Sequence, residues 1–230
     1  MGLDEWVADF YEESVAKKHE AVKSIYTWMT SGDPRRQVPV LLHHDTVIPA
    51  ASRLLLEDAK KSLTLTLHLL TFFEALALFV DTHPLLNQHK IGDQCIKIIE
   101  HEQKRYDLLC QDADAASSSS ATSLGSGNVS SKEQRKATLR KMDAVLRAAF
   151  SILSVFAEAS PAIEIKMVNR GILQLMHFGF SLPSPSFELS TILLHLLTQY
   201  SAYKETILLL RQVGHSFLSN GHTLRAQKAA

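Results

Sequence analysis

The pentapeptide Leu-His-Leu-Leu-Thr occurs twice, at Leu67–Thr71 and at Leu194–Thr198, and its surroundings repeat with it. Each copy lies in a long apolar run that ends at an aromatic, Phe79 or Tyr200, and a glycine follows 13 or 14 residues later, Gly92 or Gly214. A third block keeps this plan without the pentapeptide: an apolar run ends at Phe156, and Gly171 follows 15 residues on. Gly171 and Gly214 are 43 residues apart and the two pentapeptides 127 apart, one and about three periods of a stacked helical repeat of roughly 40–47 residues. Such a chain buries its apolar faces by laying each helical unit on the next, and stacks of this kind bind other proteins.

Composition agrees with helices. Only nine glycines and seven prolines occur among 230 residues, and most fall between the periodic stretches instead of within them. The charges balance at 24 against 24, so nothing in the net charge points to nucleic acid or an anionic membrane. Cys95 and Cys110 read onto a single helix, about 22 Å apart at 1.5 Å per residue, too far for a disulfide. Reduced thiols suit the cytoplasm. Residues 1–20 hold Asp4, Glu5, Asp9, Glu12 and Glu13 before any apolar run, unlike a secretory leader. Leu63–Val80 is long enough to raise the question of a membrane span, but it contains His68 and Glu74, which lipid would penalise. A core helix is the better account, and the sequon at Asn128 is set aside with the secretory route it would need.

Along the chain, residues 1–40 read as an amphipathic helix over 3–30, with Trp6, Phe10, Val15, Val22, Ile25, Trp28 and Met29 on one side, followed by a connector holding Pro39. Residues 41–111 carry a short helix from Thr46 to Asp58 capped by Asp45, the long apolar helix from Leu63, a break at Asp81-Thr-His-Pro84, and a helix from Ile91 to Gln111. Residues 112–131, with four successive serines and Gly125-Ser-Gly127, read as a disordered linker. In residues 132–218, Leu139, Met142, Leu146, Ala149, Leu153 and Phe156 recur at alternating steps of three and four, the signature of one helix face. A polar tail covers 219–230. Gly92 to Gly171 spans 79 residues, 36 more than the following step. That excess nearly equals the linker plus the charged helical stretches 100–111 and 132–138, so the insertion interrupts an array that stays in register.

Candidate chemistry dissolves on inspection. His101-Glu-Gln-Lys-Arg105 starts like a zinc-protease helix, but arginine stands where the second histidine ligand must be. Cys95 and His101 diverge around the helix. His68 and His195 occupy equivalent places in two apolar helices, which fits hydrogen-bonded structural histidines better than two active sites, and His43-His44 reads as an exposed loop. Gly125-Ser-Gly127 sits in the linker and not in a strand–turn–helix elbow. The lone glycines at 92, 171 and 214 read as turns between helices. Ser184 and Ser186, each beside a proline, are explained by loop chemistry as well as by modification. No catalytic residue, metal or cofactor is expected, and no nucleic acid or small-molecule substrate. The charged stretches are the candidate protein contacts: Glu100, Glu102, Lys104 and Arg105 on one helix, expected to project beyond the packed body, and Lys132, Arg135, Lys136, Arg140 and Lys141 on the next, a basic stretch that reads first as a solvated outer face and second as a docking stripe for an acidic partner.

Two stretches resemble a known family. Asp45–Lys61, built around Ala51-Ser-Arg-Leu-Leu55, and Lys90-Ile-Gly-Asp-Gln-Cys95 running through Glu100-His-Glu-Gln-Lys-Arg-Tyr106 are similar to the kinesin-associated proteins, the non-motor subunits of heterotrimeric kinesin-II. The polar insertion, then Phe156-Ala-Glu-Ala-Ser160 before Glu164-Ile-Lys-Met167, follows in the family's order, and the resemblance covers about residues 41–180. It implies an all-α, right-handed solenoid of armadillo-like helices without enzyme activity. It also implies binding to the tails of the motor chains and to cargo, in the cytoplasm and at the cytoskeleton, for intraflagellar and other microtubule-based transport. Members of the family carry many more repeats than the three or four this length allows, so the chain reads as a shortened form or a piece of a longer protein. A generic armadillo-type scaffold outside ciliary transport is the alternative expectation.

Overall fold

The computed structural model describes residues 2–58, 61–118 and 128–202, and among these the chain is helical throughout, with no strand. Eleven α-helices follow in order: α1 Leu3–Asp9, α2 Val15–Ser31, α3 Pro34–His43, α4 Val47–Glu57, α5 Leu63–Ala77, α6 His83–Gln88, α7 Ile91–Ser118, α8 Asn128–Ala159, α9 Pro161–Asn169, α10 Ile172–Ser181 and α11 Phe187–Gln199. Short 3-10 turns at Val80–Thr82 and Tyr200–Ala202 supplement them. Contacts divide the chain into two compact units, Met1–Phe156 and Ala157–Ala230.

In the first unit α5 is the hub. Leu65, Leu69, Leu70, Phe72, Phe73 and Leu76 are almost wholly buried, packed between α2 and α4. α2 presents Ala21, Val22, Ile25 and Met29, one stripe at helical spacing. Residues 2–40 are therefore integral to this core. Ser62 opens α5 by accepting the Leu65 amide on its side-chain oxygen at 3.4 Å. The helix stops at Ala77, short of the Val80 expected from the apolar run, because its last carbonyls find other donors. The Thr82 hydroxyl donates to the Leu76 carbonyl at 2.7 Å, and a ring nitrogen of His83 donates to that of Ala77, also at 2.7 Å. The chain then turns by 114° into the segment Val80–Gln88, and no single helix among the described residues is long and apolar enough to cross a membrane.

Several boundaries differ from the sequence reading for identifiable reasons. The amphipathic stretch 3–30 is two helices, because Ser14 takes an extended backbone and its side chain accepts the Lys17 amide, starting α2 afresh. The connector at 35–45 is largely helix. Asp33 caps it by accepting the Arg35 amide at 3.1 Å, Pro34 suits the first turn, and Pro39 costs one interior rung without breaking the helix. Thr46, not Asp45, stands at the head of α4, and no side-chain cap is made there. α7 and α8 also enter the stretch read as linker, to Ser118 and from Asn128, since Asp112-Ala-Asp-Ala-Ala offers nothing that stops a helix. The middle of that stretch, Gly214 and the polar tail lie outside the described residues.

α7 and α8 pair antiparallel: Gly92 near the start of α7 meets Phe156 near the end of α8. Gly92 is thus a helical residue at a close approach, and the turn before it is made by Lys90, with φ of 55°. Gly171, with φ of 83°, does serve as the expected left-handed turn, placed before Ile172 as Lys90 is before Ile91. A Cβ at position 92 would lie 3.3 Å from Cδ2 of the buried Phe156 ring. Gly92→Val is expected to lower stability by about 1–3 kcal/mol through overpacking. Urea unfolding of the variant is the measurement, and a midpoint at or above wild type would count against the contact.

In the second unit α10 packs between α9 and α11. Ile172, Met176, Leu189, Leu193 and Leu196 are fully buried, and the Tyr200 hydroxyl donates to Sδ of Met167 at 3.3 Å inside this core. Ser186 caps α11 by accepting the Leu189 amide at 3.2 Å.

Candidate partner-binding surfaces

The charged residues singled out from the sequence fall on the α7–α8 hairpin. Its two helices remain neighbours beyond the apolar part, where the Arg135 charge acts on the Tyr106 phenol. Not all of these charges face outward. Glu102 is only 2% exposed. It accepts from Arg105 at 3.2 Å and lies 3.3 Å from a ring nitrogen of His101. Burial pushes its carboxyl above the usual range, against the pull of the Arg105 guanidinium and the His101 ring. The stretch expected to project from the body therefore turns one carboxylate inward, and Glu102 and Arg105 are partners of each other before they are partners of anything else.

Glu100 and Lys104, one helical turn apart, are exposed, as are Lys136, Arg140 and Lys141 on α8, while Arg135 is half-buried. The side chain of Lys132 lies outside the description. Lys141 donates to the Thr64 hydroxyl at 3.2 Å, binding the stripe to the head of α5. Arg147, which continues the basic run, makes a bidentate pair with Glu74 at 2.8 and 2.9 Å. That pair also explains how α5 carries a carboxylate in its apolar sequence. At 100° per residue, Lys136, Arg140 and Arg147 fall within about 40° around α8, one straight edge.

Several of the histidines singled out from the sequence have partners within the fold. Nδ1 of His68 donates to the Thr64 carbonyl at 2.8 Å and meets Nε2 of His19 at 3.1 Å. His195, although in the equivalent pentapeptide, is exposed and faces Glu158 at 3.3 Å. His44 is not a free loop residue but reaches Asp4 of α1 at 3.2 Å. Among the described residues no three His, Cys, Asp or Glu side chains are grouped to hold a metal ion. Both cysteines are free, and burial raises the Cys95 thiol far above its ordinary range.

A second surface was missed from the sequence. Trp6 of α1 and Trp28 of α2, read as core residues of one helix, are only partly buried and line an open groove of about 410 Å³. Glu20, Lys23, Ser24 and Thr27 complete its walls. The break at Ser14 is what brings the two indoles together, because it folds α1 back onto α2. Beneath α2, Lys18 donates to the nearly buried Asp58 at 2.6 Å, and Lys61 does the same from the other side.

This junction is expected to be acid-sensitive. Burial, and then the His68 ring, hold His19 below its ordinary 6.5, and hydrogen bonds from Lys18 and Lys61 hold Asp58 below 3.8. Each group binds its proton more readily in the unfolded chain, so stability falls as pH falls. The His19 contribution is expected to fade from about pH 6.5 downward and that of Asp58 only below about 3.8. Thermal unfolding followed by indole fluorescence should show both stages, with the upper one missing in His19→Gln. An upper stage of wild-type size in that variant would place the effect elsewhere.

Comparison with the solved structures gives no match. Comparison with protein families gives one over nearly the whole described chain: residues 2–207 match the model of the Kinesin-associated protein (KAP) family. The match takes in residues 2–40, where the sequence alone offered no family motif, as well as the helices that carry the quoted motifs, and the chain belongs to the kinesin-associated protein family.

Proposed function

We propose that this chain is a non-enzymatic adaptor subunit of a kinesin-II motor complex, binding motor-chain tails and cargo for intraflagellar and other microtubule-based transport. The observation that carries the reading is the family match over residues 2–207, which belongs to an accessory family and not to one of enzymes. The helical architecture and the charged hairpin are what an adaptor of this kind needs: rigid elements displaying side chains to a partner. The repeats are armadillo-like, stacked as a right-handed solenoid, and the protein works in the cytoplasm at the cytoskeleton, with the cilium as its destination in ciliated cells. Glu100, Lys104, Lys136, Arg140 and Lys141 are the exposed accessory contacts, and Lys132 and Arg135 extend the same stripe.

Co-purification with the tagged full chain is the test. Capture of a kinesin-II motor chain is the expected result, and its weakening by the triple substitution Lys136→Glu, Arg140→Glu, Lys141→Glu would assign the stripe. Capture of other partners without any motor chain, from a folded protein, would replace this reading with that of a scaffold outside ciliary transport.

A further inference from the structure

We propose that Ser184 is a phosphorylation site for a proline-directed protein kinase, picked out from the chain's other Ser-Pro pair by the loop in which it stands. Serine is followed by proline twice, at Ser160-Pro161 and at Ser184-Pro185, and threonine never is. Proline presents no amide hydrogen and holds its φ fixed. A kinase whose substrate cleft leaves the next amide unanswered takes proline there without loss, and any other residue at the cost of an unpaired donor. As sequence the two pairs are equivalent. Ser160, however, is the single residue between α8 and α9, and it is half-buried. Its carbonyl accepts the Ile163 and Glu164 amides at 3.0 and 3.1 Å, so α9 grows from it. Laying the residues around Ser160 along a kinase cleft would open the first turn of α9 and the last of α8.

Ser184 stands in the break between α10 and α11, where no residue from Leu182 to Ser186 is helical. Leu182 and Ser186, at the ends of the break, are extended, with ψ of 144° and 158°. Pro183 and Pro185 bracket Ser184, and a residue before proline is kept out of the helical region. Pro183 and Ser184 are exposed. The Ser184 hydroxyl donates to the Pro183 carbonyl at 2.7 Å, a bond between chain neighbours that holds no two elements together. Ser186, by contrast, is committed to capping α11. In the transfer, the Ser184 oxygen bonds to the γ-phosphorus of magnesium-ATP as the bond from that phosphorus to the β,γ-bridging oxygen breaks. ADP leaves, and the hydroxyl proton passes to the kinase's catalytic carboxylate and then to water. α10, the loop and α11 contain no lysine or arginine, so none of the three draws the new phosphate into an ion pair. The phosphate lies before the amino end of α11, where negative charge is favourable, and Ser186 keeps its cap. The product is a displayed charge on an unchanged fold.

The inference goes beyond the adaptor reading and holds or fails without it. The intact protein is incubated with magnesium-ATP and either a purified mitogen-activated protein kinase or a cyclin-dependent kinase, and the phosphate is located by tandem mass spectrometry. Ser184 should be modified by at least one of them, and Ser160 at least about tenfold more slowly. Pro185→Ala, with helical content checked by circular dichroism, should slow modification of Ser184 at least about tenfold. Synthetic peptides covering residues 154–166 and 178–190 should be modified at similar rates, because the helices that protect Ser160 are then gone. Circular dichroism of the modified protein should match that of the unmodified one. No phosphate at Ser184 with either kinase, or the wild-type rate in Pro185→Ala, would overturn the site. Ser160 modified as fast as Ser184 in the folded protein, or a 154–166 peptide as resistant as folded Ser160, would overturn its selection by the loop.

Discussion

Phe156→Ala is expected to lower the unfolding free energy of the first unit by about 3–5 kcal/mol. Phe156 is 1% exposed and closes the antiparallel pairing of α7 and α8. Its ring sits edge-on to His83, with centroids 5.8 Å apart, and against the backbone of α7 at Gly92. Truncation removes the buried ring and leaves a void that three elements would have to shift to fill. Two of them are held: the His83 ring donates to the Ala77 carbonyl at 2.7 Å, and α7 is anchored by Ile91, Cys95 and Ile99, all fully buried. Little relaxation is available, so the cost should lie toward the upper end. The sequel is a coupling measurement. Gly92→Val, unfavourable in the wild type, should become neutral or stabilising in the Phe156→Ala background, because its side chain then enters the vacated space. Urea unfolding of the four proteins measures this directly, and additive effects within about 0.5 kcal/mol would show that the two positions do not share a space.

What could be read from the sequence follows from which interactions are local. The face Met142, Leu146, Ala149, Leu153, Phe156 was legible because burial at steps of three and four is written into the chain itself, and all five are buried. The turn at Gly171 was legible too, because a lone glycine between two apolar runs answers a local backbone need. Trp6, Phe10, Val15, Val22 and Ile25 read roughly onto one side of a single helix. That regularity concealed the break at Ser14, where an extended backbone and a side-chain cap outweigh the periodicity. Pro39 looked like a connector because an interior proline costs a hydrogen bond, yet Asp33 and Pro34 start a helix well enough to carry it. Gly92 and Gly171 are indistinguishable as letters. One needs a positive φ and the other needs no side chain, and only the position of Phe156 separates them.

The candidate surfaces divide along the same line. That α7 and α8 carry charge was plain from the sequence. Which charges face outward was not, because the inward turn of Glu102 depends on what its helix packs against. Amphipathicity marks the side of a helix that meets the protein, and it does not say whether that side is sealed, so Trp6 and Trp28 read as core. The pairs Lys18–Asp58 and Glu74–Arg147, 40 and 73 residues apart, have no local signature at all.

The Glu74–Arg147 pair carries the other large effect. Arg147→Ala is expected to cost about 2–3 kcal/mol, because it leaves the Glu74 carboxylate, whose side chain is 19% exposed, without a guanidinium that gives it two short hydrogen bonds. Arg147→Lys should recover less than half of the loss, since an ammonium cannot present two parallel donors to both oxygens. Removing both partners, as Glu74→Leu with Arg147→Leu, should cost less than Arg147→Ala alone, because an apolar pair leaves no unanswered charge between α5 and α8. The consequence reaches the surface. Lys136 and Arg140 share one edge of α8 with Arg147, so the fork that fastens Arg147 to α5 also fixes the rotation at which those two cations are displayed. Hydrogen exchange along α8 on either side of residue 147 should therefore rise in Arg147→Ala and return toward wild type in the double leucine variant. If Arg147→Lys unfolds at the wild-type urea midpoint, a single charge contact is enough, and the orientation of the basic edge must be set by the buried face of α8 alone.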